Sequence, residues 1–230
     1  EGRGELPERA VAITVEDAYL SVATQAHPRL AARGYPYTVF VATDFVDARH
    51  PGYMSWSQMR ELEQQGATFA NRGASHLSFV YRQGVASEMD RMVRVRAEIE
   101  RAQTRLNDEL HPLGGVLAYP NGEYDRSVAD LVTELGYVAF GQQSGAVGRG
   151  SDRRALPRYS MAEAFAGIDD FALKIATRPL PVVAVKPWDP VTTSRRPRIE
   201  VTLGSTDARL ERLRCFIGGE GEVELEWLEP

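Results

Sequence analysis

Ala10-Val11-Ala12-Ile13-Thr14-Val15 is a short apolar run rich in β-branched residues, and it stops at Glu16-Asp17. A run of this length between polar residues reads as a buried strand. Similar runs recur at 38–42, 67–70, 115–119 and 137–140. Helical patterns lie between them. One covers 21–33 and closes at Gly34; another covers 56–65, with Ser55 as its cap and Gly66 as its stop. The longest covers 85–110, with a stripe of Val85, Met89, Met92, Ile99, Leu106 and Leu110, and the last covers 125–135. Strands alternating with helices predict an α/β protein with a mostly parallel sheet or barrel.

The character changes near Pro179. Residues 179–197 hold five of the 13 prolines, which reads as an extended connector. Beyond it, Ile199, Val201 and Leu203 alternate, as do Val223, Leu225 and Trp227. The expected organisation is an α/β unit over 1–178, a Pro-rich connector over 179–196 and a three-stranded antiparallel β appendage over 197–230. Trp188 and Trp227 are the hints of sugar stacking in this part, and core packing is the simpler account of Trp227.

The 230 residues are 43% hydrophobic and 26% charged, a composition that supports a packed core and excludes disorder and collagen. No apolar run reaches the roughly 18 residues of a membrane span. The net charge of −5 argues against nucleic acid as a partner. One cysteine, Cys215, excludes an internal disulfide framework and a multi-Cys zinc site. The opening Glu1-Gly2-Arg3-Gly4-Glu5 has no initiator Met and no signal peptide, as expected of a processed product.

In parallel α/β folds, the loops at the carboxyl ends of the strands hold the site. Three loops stand out. Glu16-Asp17 can divide a ligand or orienting role from proton transfer, or can simply be acids favoured at a helix N-terminus. Arg72 and His76 are four apart and would share a face on a helical turn. Pro120-Asn121-Gly122 is a sharp turn able to present backbone N–H groups to an oxyanion. His27, His50 and His111 each precede a proline and read as turn or helix-edge residues.

Taken in order, these loops resemble the polysaccharide deacetylase family, the NodB-homology domain of carbohydrate esterase family four. Thr14-Val15-Glu16-Asp17-Ala18-Tyr19 is similar to its Thr-Phe-Asp-Asp-Gly-Tyr motif. Asn71-Arg72-Gly73-Ala74-Ser75-His76 is similar to Asn-His-Ser/Thr-x-x-His, and Tyr119-Pro120-Asn121-Gly122-Glu123-Tyr124-Asp125 to the motif around a Pro-Tyr-Gly turn. The resemblance covers about 8–178.

It implies a distorted (β/α) barrel that removes acetyl groups from N- or O-acetylated sugars with one divalent metal, usually zinc. It implies Glu16 as general base, Asp17 and His76 as metal ligands, and the Asn121 N–H as oxyanion donor. Tyr119 and Pro120 are expected at the substrate, and Glu16, His76 and Asn121 at one end of the barrel. The implied partner is an acetylated amino-sugar polymer or oligosaccharide, and an extracytoplasmic location is favoured. The departures point elsewhere. Glu16 is a methylene longer than Asp. Arg72 stands at a metal-ligand position, and a guanidinium has no lone pair to offer a metal. Ala118 replaces an Arg that orients the base in many members, and no Leu-x-x-His follows residue 140. The metal is therefore expected to be weakly bound or absent, with the Arg72 guanidinium pairing bidentately with Asp17 or Glu16 in place of the cation. The alternative to a deacetylase is a degenerate member acting as a carbohydrate-binding or structural module.

Overall fold

A computed structural model describes residues 7, 9–162, 165–217 and 221–228. The opening residues 1–6 and the last two positions of the appendage lie outside the described residues. The first half of the chain builds one parallel sheet in sequential order: β1 (Ile13–Glu16), β2 (Tyr37–Val41), β3 (Ala67–Asn71), β4 (Val116–Ala118) and β5 (Val138–Phe140). The five strands curl into a half-barrel with helices packed outside, as the alternation predicted. Leu156 adds a further parallel bridge beside Phe140.

Side chains alternate across this sheet with period two. Val39, Val41, Phe69 and Leu117 point outward into two clusters under the helices. Phe40, Ala70, Ala118 and Phe140 point inward and pack together. Glu16 lies in register with Phe40, so it shares the inner face.

The helices form where capping and apolar stripes coincide. Helix α1 (His27–Ala31) follows a π-helical turn at Val22–Ala26, with Pro28 at its start. Helix α2 (Thr43–Asp47) follows β2 directly. In α3 (Trp56–Gln64), Ser55 and Gln58 make a reciprocal capping box, and Met59 and Leu62 are buried. Helix α4 (Glu88–Glu109) begins three residues later than its stripe suggested, because the Ser87 hydroxyl accepts the Asp90 N–H and fixes the start. Met89 is exposed; the buried stripe is Arg91, Val95, Ile99, Ala102 and Leu106. Arg91 is tolerated there because Glu88, Asp125 and the Phe79 carbonyl surround its guanidinium. Helix α5 (Arg126–Glu134) is capped by Asp125, whose Oδ1 accepts the Val128 N–H at 2.9 Å.

Beyond α6 (Ile168–Ile175) the structure departs from the sequence reading. The proline-rich stretch contains β6 (Val182–Lys186), which pairs antiparallel with β7 (Glu200–Leu203). A second ribbon joins β8 (Cys215–Ile217) and β9 (Gly221–Val223). These are two separate two-stranded ribbons instead of one three-stranded sheet. Trp227 is 58% exposed, so core packing does not explain it. Trp188 instead docks on the barrel: its Nε1 donates to Asp152 at 2.8 Å, and its ring lies under the Arg154 guanidinium.

Candidate functional site

The parallel sheet brings the carboxyl ends of all five strands to one end of the half-barrel. Glu16 ends β1, and Asp17 turns away in a left-handed conformation at φ 57°. Asn71 ends β3. Its buried amide donates to the Ile99 carbonyl at 2.9 Å and accepts the Gly73 N–H at 2.7 Å. Gly73 sits at φ +75°, and a Cβ there would meet the Phe79 ring at 3.1 Å. Glu98 of α4 then cradles the loop: its Oε2 accepts the Ala74 N–H at 3.2 Å and the Ser75 N–H and hydroxyl at 2.8 Å each. His76 leaves the loop at φ 62°. The 72–76 segment is therefore not a helical turn, and the shared-face argument for Arg72 and His76 does not hold. The loop reaches the same convergence by Asn71, Gly73 and Glu98.

Four of the expected residues meet directly. Arg72 Nη1 is 2.7 Å from Glu16 Oε1, and Arg72 Nε is 3.2 Å from Asp17 Oδ1. His76 Nε2 is 3.5 Å from the same Asp17 oxygen. Arg72 thus bridges both acids instead of gripping one of them bidentately. The N–H directions are not aimed at the carboxylates: Asp17 Oδ1, Arg72 Nε and Nη1, and His76 Nε2 are buried without an aligned hydrogen-bond partner among the described residues. Charge, more than hydrogen-bond geometry, holds this cluster. The Arg72 side chain is 3% exposed, whereas Glu16 and His76 are 26% and 24% exposed, so the cluster reaches the surface at those two groups.

Two further residues close on Glu16. Arg158 Nη2 contacts Glu16 Oε1, while its Nε donates to the Gly141 carbonyl at 2.9 Å. Its guanidinium lies over the inward rings of Phe40 and Phe140. Gln142 Nε2 donates to Glu16 Oε2 at 2.7 Å. Burial pushes the Glu16 carboxyl up, but the charges of Arg72 and Arg158 outweigh it and hold the carboxyl below its ordinary value. Burial draws the Arg158 guanidinium down; Glu16 opposes this and Arg72 reinforces it. Neither Arg158 nor Gln142 belongs to a motif. Gln142 follows β5, and the rule that strand ends hold the site could have found it. Arg158 had no local signal.

The third motif approaches through Gln142. Asn121 adopts φ 55° in the Pro120–Gly122 turn. Gly122 packs so tightly on Gln142 that a Cβ would fall 2.6 Å from the Gln142 side chain. Tyr119 and Pro120 are buried: Tyr119 stacks on Tyr124 and donates its hydroxyl to the Arg154 carbonyl at 2.7 Å. Their contribution is to carry the turn, because neither offers an open surface. His27 is buried between Tyr37 and Gln65, and His111 bonds Glu63, consistent with structural roles.

The donor set falls short of the three protein ligands of a catalytic zinc site. Among the described residues, no group of three or more His, Cys, Asp or Glu side chains is placed to hold one. Asp17 and His76 are two candidate donors, and the Arg72 cation lies against both acids.

The five parallel strands form a curled half-barrel with an acid pair at the end of the first strand, a fold shared with solved NodB-type deacetylases. The polysaccharide deacetylase family matches residues 3–140, and the chain belongs to that family. YxkH of Bacillus subtilis (strain 168), a curated relative of polysaccharide deacetylase type, is 22% identical over 161 residues. The match covers 70% of this chain and 54% of that relative, so the chain spans about half its length. Solved structures share the fold. IcaB from Ammonifex degensii superposes with a TM-score of 0.64 at 22% identity, over 76% of this chain and 77% of that one. A de-N-acetylase from Aggregatibacter actinomycetemcomitans gives 0.64 at 17%, over 75% and 78%. The Streptococcus pyogenes deacetylase PplD, in complex with acetate, gives 0.58 at 20%, over 64% and 62%.

Proposed function

We propose that the site recognises an acetylated amino-sugar unit of a polysaccharide or oligosaccharide, and that Arg72 supplies the positive charge that a divalent cation supplies elsewhere in the family. The observation that carries this reading is the Arg72 guanidinium, 2.7 Å from Glu16 and 3.2 Å from Asp17. Removing a cation from buried carboxylates is costly, and a buried guanidinium offsets that cost without Lewis acidity. Glu16 in this state is a poor base, since two cations favour its ionised form and lower its proton affinity. The chain then binds acetyl sugar and hydrolyses it slowly or not at all. An extracytoplasmic location and a barrel unit ending near residue 178 belong to the same reading.

A second reading is a metal-assisted deacetylase, in which Glu16 is the base, Asp17 and His76 hold zinc and Asn121 offers its N–H to the oxyanion. Asp17 Oδ1 and His76 Nε2, 3.5 Å apart and both without an aligned partner, favour it. One experiment separates the two. Protein purified without added metal is analysed for metal, titrated with zinc, and assayed for binding and acetate release with a chitooligosaccharide. The first reading expects little metal, sugar binding and negligible acetate. One zinc per chain that survives chelator dialysis, with acetate release following zinc, overturns it.

A further inference from the structure

Three aromatic rings stand beside the charged cluster, each from a different segment of the chain. Residues 18–20 run antiparallel to 52–54: Leu20 N–H donates to the Gly52 carbonyl at 2.6 Å, and Met54 N–H to the Ala18 carbonyl at 2.7 Å. Tyr19 and Tyr53 are therefore directly opposite, with ring centroids 4.7 Å apart. Phe45, on α2, stacks on Tyr53 at 5.0 Å and 9°. The same ring meets His76 at 6.4 Å in an edge-on arrangement. His50 packs edge-on against both Phe45 and Tyr53. Burial pushes the Tyr53 phenol up, the Tyr19 phenol and Asp17 carboxylate add to the rise, and Arg72 opposes it. The wall runs without a break from His76 to Tyr19, which is 45% exposed although large and aromatic.

We infer that Tyr19, Tyr53 and Phe45 form a stacking subsite for the pyranose ring adjoining the acetylated unit, so that the ligand is an oligosaccharide and not a single sugar. The inference rests on the acetyl-sugar reading of the charged cluster. A pyranose has one face of C–H groups and a rim of hydroxyls. Aromatic faces are electron-rich and attract C–H groups, and tyrosine adds a polar end for the rim. The rings already brace one another, so little side-chain freedom is lost on binding. Continuity argues for this occupant: the wall begins at the His76 ring, beside the charged cluster, where the sugar next to a bound acetylated unit would lie.

Calorimetry with N-acetylglucosamine and its β-1,4 trimer tests this on the parent chain, Tyr19→Ala and Tyr19→Trp. The parent should bind the trimer about tenfold more tightly than the monomer, the order expected of one good aromatic stack. Tyr19→Ala should erase that gap and leave monomer affinity unchanged; Tyr19→Trp should keep it. Melting temperatures should match the parent, since Tyr19 is largely outside the core. Aromatic proton spectra of the parent give a test that needs no variant: the trimer, and not the monomer, should shift the Tyr19 and Tyr53 ring signals. Monomer binding with no trimer advantage, a gap that survives Tyr19→Ala, or unmoved ring signals overturns the subsite and leaves the acetyl-sugar site standing. Failure of the parent to bind either sugar overturns both.

Discussion

Glu16 and Asp17 are adjacent in sequence, yet the structure treats them differently. Glu16 is enclosed by side chains from distant parts of the chain: Arg72, Arg158 and Gln142 all reach its carboxylate. Asp17 turns at φ 57° toward Arg72 and His76, and its Oδ1 has no aligned hydrogen bond among the described residues. The Glu16 half is locked by two cations and an amide. The Asp17–His76 half is positioned by backbone, through left-handed residues and the Glu98 cradle. The first kind of support fixes a charge state. The second fixes a direction and leaves buried polar atoms without an aligned partner among the described residues. A catalytic base needs freedom to take a proton, whereas a recognition site needs fixed directions, and this site has kept the second more fully than the first.

Arg72 is the one side chain common to both halves, so its removal should give the largest effect. Arg72→Met leaves Asp17 uncompensated in a mostly buried position, while Glu16 retains Arg158. Breaking a buried pair by deleting one partner costs about 3–5 kcal/mol. Urea denaturation at pH 7 should show a loss in this range. A loss below about 1 kcal/mol would mean that the guanidinium does not compensate the acids, and the two halves would then be independent.

A smaller change converts one half without emptying it. Arg72→His replaces the cation with a neutral donor beside Asp17 and His76. Zinc affinity should rise by at least about tenfold, since even weaker ligand-sphere changes shift affinity by about 10–100-fold. Adding Glu16→Asp should couple with it, because both changes act on one site. Acetyl ester cleavage by the double variant should exceed the sum of the singles, and amide cleavage should recover less, since the leaving amine needs an acid that no Leu-x-x-His motif provides. Stoichiometric zinc without cleavage of either substrate would place the lesion outside this pair of residues. Arg158, which would still draw the base toward its ionised form, is then the next residue to examine.

The sequence disclosed these halves unequally, for a physical reason. Strand and helix identity came from local patterns: β-branched runs ending at polar pairs, and Ser55 or Asp125 placed before apolar stripes. The convergence of Glu16, Asp17, Arg72 and His76 was legible because each lies in a recognisable motif at or just after a strand's carboxyl end. Arg158 was not, because its contact with Glu16 joins residues 142 apart and no local pattern announces it. Local spacing also misled. The four-residue spacing of Arg72 and His76 suggested a helical face, but Gly73 and a left-handed His76 make a loop. In the proline-rich stretch, β6 was hidden because its prolines flank the strand and do not enter it.

The smallest expected effect isolates the backbone-held half. Glu98 touches neither acid, but it accepts the Ala74 and Ser75 N–H groups that set the approach to His76. Burial pushes its carboxyl up; the Ser75 bonds and Arg101 outweigh this and hold it below its ordinary value of 4.5. A carboxyl whose folded value is depressed binds fewer protons folded than unfolded. Its contribution is therefore present above the unfolded value and is lost as pH falls through the folded one. Glu98→Gln keeps the shape and exchanges charged hydrogen bonds for neutral ones, a change of about 1 kcal/mol at pH 7. Urea midpoints of parent and variant should differ by that amount at neutral pH, begin to close as pH falls past about 4.5, and meet only below the lower folded value, where the parent's carboxyl is neutral in both states. The Glu16 half should be undisturbed, so the expected signature is a looser His76 ring, seen as faster imidazole hydrogen exchange or broadened ring signals, with the Arg158 signals unchanged. A gap in stability that stays constant from pH 7 to pH 3 would show that Glu98 acts by shape alone, and the distinction between a charge-locked half and a backbone-held half would lose its electrostatic basis.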